Sequence, residues 1–220
     1  MKNQHEVKNT DQTSQQAASR SNCYGLLALV LRDVPTSEII SQLKTGSLAE
    51  ALSHLGFDVT EELTGELEEV TQSLAGQYTE TFIGPGPHVP LYASVHMEDE
   101  GQLWGDSTVW LKRFVETTGL SFNDHWDSIP DHITIELELM QRLAAHEALL
   151  WGKKNSDEQL SRCLKAQEQL LGDHLCKWVP RFCDRVLEVT ASSFYQKMAE
   201  LTKSVILSDI DQITATQQSL

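Results

Sequence analysis

The chain has 220 residues, of which 40% are hydrophobic, and 32 acidic side chains against 17 basic ones give a formal net charge of −15. That length and apolar fraction suffice for a buried core, in one domain or two small ones, and exclude a disordered polymer. The charge argues against nucleic acid as a partner, because phosphate binding rests on clustered Lys and Arg; it would suit a basic peptide, although solubility alone is the simpler account.

No apolar run approaches the roughly 20 residues that a membrane span requires. Residues 1–20 are polar, rich in Gln, Asn, Ser and Thr. They lack the apolar centre of a secretory leader, so residues 1–19 read as a frayed, disordered tail on a cytoplasmic protein. Cys23, Cys163, Cys176 and Cys183 show no CxxC spacing and in that compartment are expected to be reduced and buried. Helical periodicity begins at 21–32, where Tyr24, Leu27 and Leu31 share a stripe, and Pro35 ends it. Thr36 or Ser37 caps a short helix carrying Ile39, Ile40 and Leu43; Ser47 precedes another with Leu48, Leu52 and Leu55, which Gly56 stops. Leu63, Leu67, Val70, Leu74 and Tyr78 predict a helix over about 61–78 with its glutamates on solvated faces.

Residues 83–106 differ. Ile83-Gly84-Pro85-Gly86-Pro87-His88-Val89-Pro90 cannot hold a regular helix, and the loop runs on through Gly101 and Gly105. So long a loop usually has a function, and it carries Tyr92 and Trp104, which either present themselves to a ligand or plug the core beneath. Asp106 or Ser107 caps the next helix, with Trp110 and Phe114 inward and Gly119 at its end. A polar connector follows over 121–129. Pro130 fits the first turn of a helix over about 130–150, capped by Ser128. This helix is apolar on two faces, through Ile133, Leu137 and Met140 and through Ile135, Leu139 and Leu143, and should be central and buried. Leu160, Leu164 and Leu171 continue the helical pattern to a stop at Gly172, and Pro180 marks a kink or a new start. Ser192 or Ser193 caps a last helix with Phe194, Met198, Leu201 and Val205, and the chain turns polar after about Leu207.

Asp131-His132 is the pair of greatest chemical interest. In the first turn of a helix a carboxylate is favoured and a protonated imidazole disfavoured, and the pair could receive a backbone or a cationic side chain from a partner. The plainer alternative is that Asp131 caps its own helix while His132 hydrogen-bonds a neighbouring loop. A rival of another class is a metal-dependent phosphohydrolase of helical type using Asp131 and His132 with His125, Asp173 and His174. Such enzymes need His-Asp, however, and both doublets here read Asp-His. Zinc at His174, Cys176 and Cys183 lacks an evident fourth ligand. No phosphate-binding glycine loop, dinucleotide fingerprint or nucleophile elbow is present in the sequence. No metal and no cofactor is expected.

Three stretches in order resemble the TorD/DmsD family of redox-enzyme maturation chaperones. They are Tyr78-Thr79-Glu80-Thr81-Phe82-Ile83-Gly84-Pro85-Gly86 with Pro90-Leu91-Tyr92-Ala93-Ser94-Val95; Pro130-Asp131-His132-Ile133 with Glu136-Leu137-Glu138-Leu139-Met140; and His174-Leu175-Cys176-Lys177-Trp178-Val179-Pro180-Arg181-Phe182 with Phe194-Tyr195. The chain departs from the pattern at Ser128-Ile129, where the family often has Glu-Pro, and at Leu91-Tyr92, where it often has Pro-Trp. The resemblance implies an all-α bundle of about ten helices in two helical subdomains, over 20–125 and 126–207, with a polar tail at 208–220. It implies a chaperone, not an enzyme, that binds the twin-arginine signal peptide and the body of an apo-oxidoreductase (a molybdoenzyme) until its cofactor is inserted. The protein would be a monomer or a domain-swapped dimer. The binding residues so implied are Tyr78, Phe82, Gly84, Pro85, Pro90, Tyr92, Ser94, Trp104, Asp131 and His132. A groove between the loop and the turn at Asp131 would offer Phe82, Tyr92 and Trp104 to the apolar part of the peptide and Asp131 to its basic end.

Overall fold

A computed structural model of the chain describes residues 2–97, 103–120 and 129–218, with side chains from residue 11 onward. Among these residues the architecture is all-helical: α1 (Lys2–Arg32), α2 (Ser37–Thr45), α3 (Ser47–His54), α4 (Leu67–Tyr78), α5 (Ala93–Met97), α6 (Asp106–Thr118), α7 (Ile133–Trp151), α8 (Asp157–Leu170), α9 (Cys176–Val189) and α10 (Ser193–Gln218). Extended pairing among the described residues is confined to one antiparallel bridge, Tyr92 with His132. None of the described helices is long and apolar enough to cross a membrane.

Several boundaries follow from local chemistry. The Thr36 hydroxyl accepts the Ile39 N–H at 3.4 Å, Gly119 ends α6 at φ 70°, and Ser192 accepts the Tyr195 N–H at 3.4 Å. The helix expected over 61–78 begins instead at Leu67. Gly65 at φ 122° lies outside helical space, so Leu63 reaches the core from a turn. Nor does Gly172 end a helix or Pro180 start one. A π turn over Leu171–Leu175 joins α8 to α9, which contains Pro180. The proline ring crowds the carbonyl four residues back, at Cys176, where the π turn already changes the hydrogen-bond register.

The buried helix expected in the 130s is α7. Ile133, Leu137, Met140 and Ala144 are fully buried, and α7 packs along α1 and α8. It starts at Ile133 with His132 as its N-cap, later than the Pro130 start expected. The proposed cap Ser128, the rest of the connector at 121–128 and the subdomain boundary at 125/126 lie outside the described residues. The four cysteines are free thiols, three of them buried.

Both expected tails are helical. α1 runs antiparallel to α7, with Ser14 donating to the Ala148 carbonyl at 2.8 Å and Ser21 to the Gln141 carbonyl at 3.0 Å. The reason is electrostatic as much as apolar. Arg20 reaches into the bundle and bonds Asp209 of α10, Glu147 of α7 at 2.7 Å and Gln167 of α8, while the Tyr24 hydroxyl donates to Asp209 at 2.6 Å. Asp209 and Ile213, on the stretch expected to fray, are buried. Arg20→Ala leaves two buried carboxylates without their cation and should cost about 3–5 kcal/mol; urea unfolding of the variant against the parent chain measures it.

Candidate functional site

The Gly/Pro loop is shaped by how α4 ends. A π turn over Thr79–Ile83 follows the helix and closes with the Gly84 N–H on the Thr79 carbonyl at 2.6 Å. The register change sends Phe82 inward and leaves Ile83 57% exposed. Pro85 and Pro87 have no N–H to continue a helix, so the chain turns, and the Val89 N–H returns to the Thr81 carbonyl at 2.8 Å. Phe82 then lies in an aromatic cluster, 4.9 Å from Tyr78, 5.4 Å from Tyr195 and 6.2 Å from Phe182 between ring centres.

Beyond Pro90 the loop pairs with the turn that opens α7. The Ile133 N–H donates to the Leu91 carbonyl at 2.8 Å, and the Ala93 N–H to the Asp131 carbonyl at 2.9 Å. Asp131 is fully buried, and its Oδ2 accepts the Ser94 N–H at 2.8 Å, so it caps α5 inside the loop. His132 caps its own helix, Nδ1 accepting the Thr134 N–H at 3.2 Å. The two residues thus exchange the tasks that the plainer sequence alternative assigned them. With Nδ1 an acceptor, the imidazole is neutral with its proton on Nε2. Burial pushes its pKa down to about 4, against the opposing pull of Asp131 and Asp33. The His132 ring stands edge-on to Tyr92 at 5.0 Å.

One turn further along α7, Glu136 is fully buried. Its Oε2 faces His174 Nδ1 at 2.8 Å and accepts from the Trp178 indole at 3.3 Å. The other ring nitrogen of His174 meets the Ser107 carbonyl at 3.3 Å, and Trp110 stacks on the ring at 4.8 Å. Both imidazole nitrogens therefore face acceptors, which is the arrangement of a charged ring. Burial works against that charge, but the Glu136 carboxylate offsets it and raises the His174 pKa; burial raises Glu136 as well. The pair holds its proton tightly.

The expected residues therefore fall into separate groups. Tyr92, Ser94, Asp131 and His132 form one cluster; the Pro90 carbonyl instead meets His96 Nε2 at 2.7 Å, and the His96 ring packs on Trp178 and Phe182. Tyr78 and Phe82 belong to the core. Trp104 is 59% exposed, at a left-handed φ of 69°, with the Lys112 ammonium 4.7 Å above its ring. No hydrogen bond or ring contact among the described residues ties it to the other groups. Asp131 faces inward, contrary to the expectation that it meets a basic ligand at the surface. The loop does border a groove of ≈ 460 Å³, but on the opposite flank: residues 84–87 form one wall, residues 189–192 between α9 and α10 the other, with Gln77, Glu80 and Thr81 between them. That second wall was missed from sequence. The Thr81 and Thr190 hydroxyls that join the walls, 2.8 Å apart, are separated by 109 residues.

A family model described as nitrate reductase delta subunit matches residues 42–184. The chain belongs to this family. TorD and DmsD chaperones are its relatives, as the three motifs implied: a chaperone protein TorD of Vibrio cholerae is 27% identical over 143 residues, 64% of this chain and 63% of the relative. A Tat proofreading chaperone DmsD of Salmonella typhi is 31% identical over 133 residues, 60% of this chain and 58% of the relative. The matches thus span less than two thirds of these relatives. The crystal structure of an Archaeoglobus fulgidus protein described as a redox enzyme maturation protein shares the fold at TM-score 0.54 and 20% identity, covering 84% of this chain and 91% of that one. In this TorD/DmsD-family chain the matched region holds the Gly/Pro loop, the Asp131 turn and His174; all of α1 and all of α10 fall outside it.

Because the folded His132 binds its proton less readily than the unfolded one, the unfolded state takes up more protons between pH 6.5 and about 4. This contribution to stability is complete above pH 6.5 and is lost as the pH falls to about 4. His132→Asn keeps a cap acceptor without a titratable ring. The parent chain should lose about 3 kcal/mol relative to this variant across that window, measured by urea unfolding at stepped pH.

Proposed function

We propose that the chain is a cytoplasmic maturation chaperone, not an enzyme, that binds the twin-arginine signal peptide of an apo-molybdoenzyme and delays its export until the cofactor is inserted and the enzyme folded. The observation that carries this reading is the groove of ≈ 460 Å³ beside the Gly/Pro loop, with Glu80 as the one carboxylate among its described lining residues and with Ile83, Pro85 and Pro87 exposed at the loop. A leader with a basic start and an apolar middle needs that combination of carboxylate and exposed apolar surface. The names of the TorD and DmsD relatives support the same reading.

The roles differ from a surface made of all ten residues. Ile83, Pro85 and Pro87 supply apolar contact, and Gly84 lets the loop turn tightly; Tyr92 and Trp104 are not among the residues lining the groove. Tyr78, Phe82, Pro90, Ser94, Asp131 and His132 hold the loop in place. Apolar burial contributes about 25 cal/mol per Å² before ordering costs, and Glu80 orients the basic end and speeds encounter. Phosphohydrolase chemistry is disfavoured by the donor set: Asp131 Oδ2, His132 Nδ1 and both His174 nitrogens are engaged by backbone groups or by Glu136. His125 lies outside the described residues.

Fluorescence anisotropy with labelled twin-arginine leaders provides the test. Ile83→Glu should weaken binding at least tenfold with an unchanged melting curve, since Ile83 is 57% exposed; Glu80→Gln should reduce the salt dependence. Failure with every leader tried, including that of an oxidoreductase encoded beside this chain, rejects the reading.

A further inference from the structure

One wall of the groove beside the Gly/Pro loop is not helical. Between α9 and α10 the chain runs through Thr190, Ala191 and Ser192, with Thr190 extended at φ −85° and ψ 137°. The side chains flanking Ala191 fix this short segment. The Thr81 hydroxyl donates to the Gln77 carbonyl at 2.7 Å, so across the 2.8 Å contact between the two threonines it is Thr190 that donates. The Thr190 oxygen in turn accepts the Ser192 N–H at 3.2 Å, and Ser192 Oγ donates to the Gln77 side chain. The carbonyls of Thr190 and Ser192 both face α10: the first accepts the Gln196 side-chain amide and the second the Gln196 N–H, each at 3.0 Å. Main-chain groups alternate in direction along an extended segment, so those of Ala191 face away from α10. Ala191 is exposed and lines the groove. Among the described residues neither its N–H nor its C=O has a hydrogen-bond partner.

We propose, on the basis of the signal-peptide reading of this groove, that the leader enters it as an extended segment and pairs its main chain with Ala191. One leader residue accepts the Ala191 N–H on its carbonyl and gives its own N–H to the Ala191 carbonyl, as an antiparallel pair does. A helical leader cannot do this, because its main-chain groups are already paired along the helix. It is also large for the site: ≈ 460 Å³ holds roughly one turn of a helix about 10 Å across. The facing wall does not compete for the same role, since Pro85 and Pro87 have no N–H to give. The hydroxyl bonds hold Ala191 in place before the leader arrives, so little ordering is lost on binding. Main-chain pairing gives affinity whatever the leader's sequence, and its alternate side chains are left to meet Glu80 and the exposed prolines.

The test follows the anisotropy of a labelled twin-arginine leader with the full chain. Ala191→Pro deletes the N–H, and Thr190 at ψ 137° already has the backbone that a residue before proline needs. Affinity should fall about tenfold with the melting curve unchanged. Ala191→Val keeps the N–H at comparable bulk and should change affinity less than threefold. On the leader side, N-methylation of one residue at a time should cost about tenfold at a single position. Its two neighbours, whose amides point away from the wall, should change affinity less than threefold. This scan uses the unaltered chain and carries the comparison should Ala191→Pro melt early. Equal effects of Ala191→Pro and Ala191→Val, with Ile83→Glu still weakening binding, would overturn the main-chain pairing and leave the signal-peptide reading standing. A flat N-methyl scan, or losses at consecutive positions as a bound helix would give, would do the same. A leader that fails to bind the parent chain at all overturns both.

Discussion

Two main-chain hydrogen bonds and one carboxylate, between the segment at 91–94 and the turn at 131–133, hold together the parts on which any function of this loop depends. The Gly/Pro segment has no helix of its own to order it, and its prolines cannot donate. It is tied instead to the start of the most buried helix in the molecule. Asp131 accepts the N–H that α5 would otherwise leave unpaired, in an interior where an orphaned donor costs about 1–3 kcal/mol. His132, kept neutral, does the same for α7. The tightness of this joint is why Ile83 and Pro85 can stay exposed on a loop that nevertheless has a definite shape.

Further along, α7 carries three buried carboxylates, each met by a cation from elsewhere: Glu136 by His174, Glu138 by Arg32 and Glu147 by Arg20. Such pairs add little net stability, because desolvation offsets much of the attraction. They do select a register. Apolar stripes on α1 and α7 would tolerate a slide by one turn, whereas Arg20 and Arg32 find their partners in one alignment only. The π turn at Leu171–Leu175 serves the same end, bringing His174 and Trp178 together on Glu136.

Periodicity made much of this visible before any coordinates. α7 is the buried helix that its two apolar faces implied, Thr36 and Ser192 cap as their residue types suggest, and the three motifs identify the family. What was hidden has a common physical cause, namely polar residues whose partners are remote in sequence. Residues 11–20 are polar, yet they are helical because Ala17 is buried and the half-buried Arg20 bonds distant helices; Asp209 holds α10 where the composition reads as a tail. Asp131 looks like a surface acid until Ser94 is placed beside it. The wall at 189–192 could not be foreseen from the Gly/Pro motif, because the contact is made by a hydroxyl pair across the fold. The boundary errors at Gly65 and Gly172 come from the converse problem: the φ of a glycine is set by its surroundings, and the residue itself permits either outcome.

The groove beside the Gly/Pro loop also bears on what the acidity of the chain does. At physiological ionic strength charges on the surface are screened over about 8 Å, so a partner seated in a groove responds to the lining within reach and only weakly to the total. The net charge of −15 therefore governs solubility and the long-range encounter, favouring basic approach and slowing acidic approach. Around the groove beside the Gly/Pro loop the lining within reach is Glu80, its one carboxylate among the described residues, with Pro85 and Pro87 exposed on one wall and Thr190 and Ser192 on the other. A basic segment that seated there would be oriented by that single carboxylate and held by apolar contact rather than by the total charge.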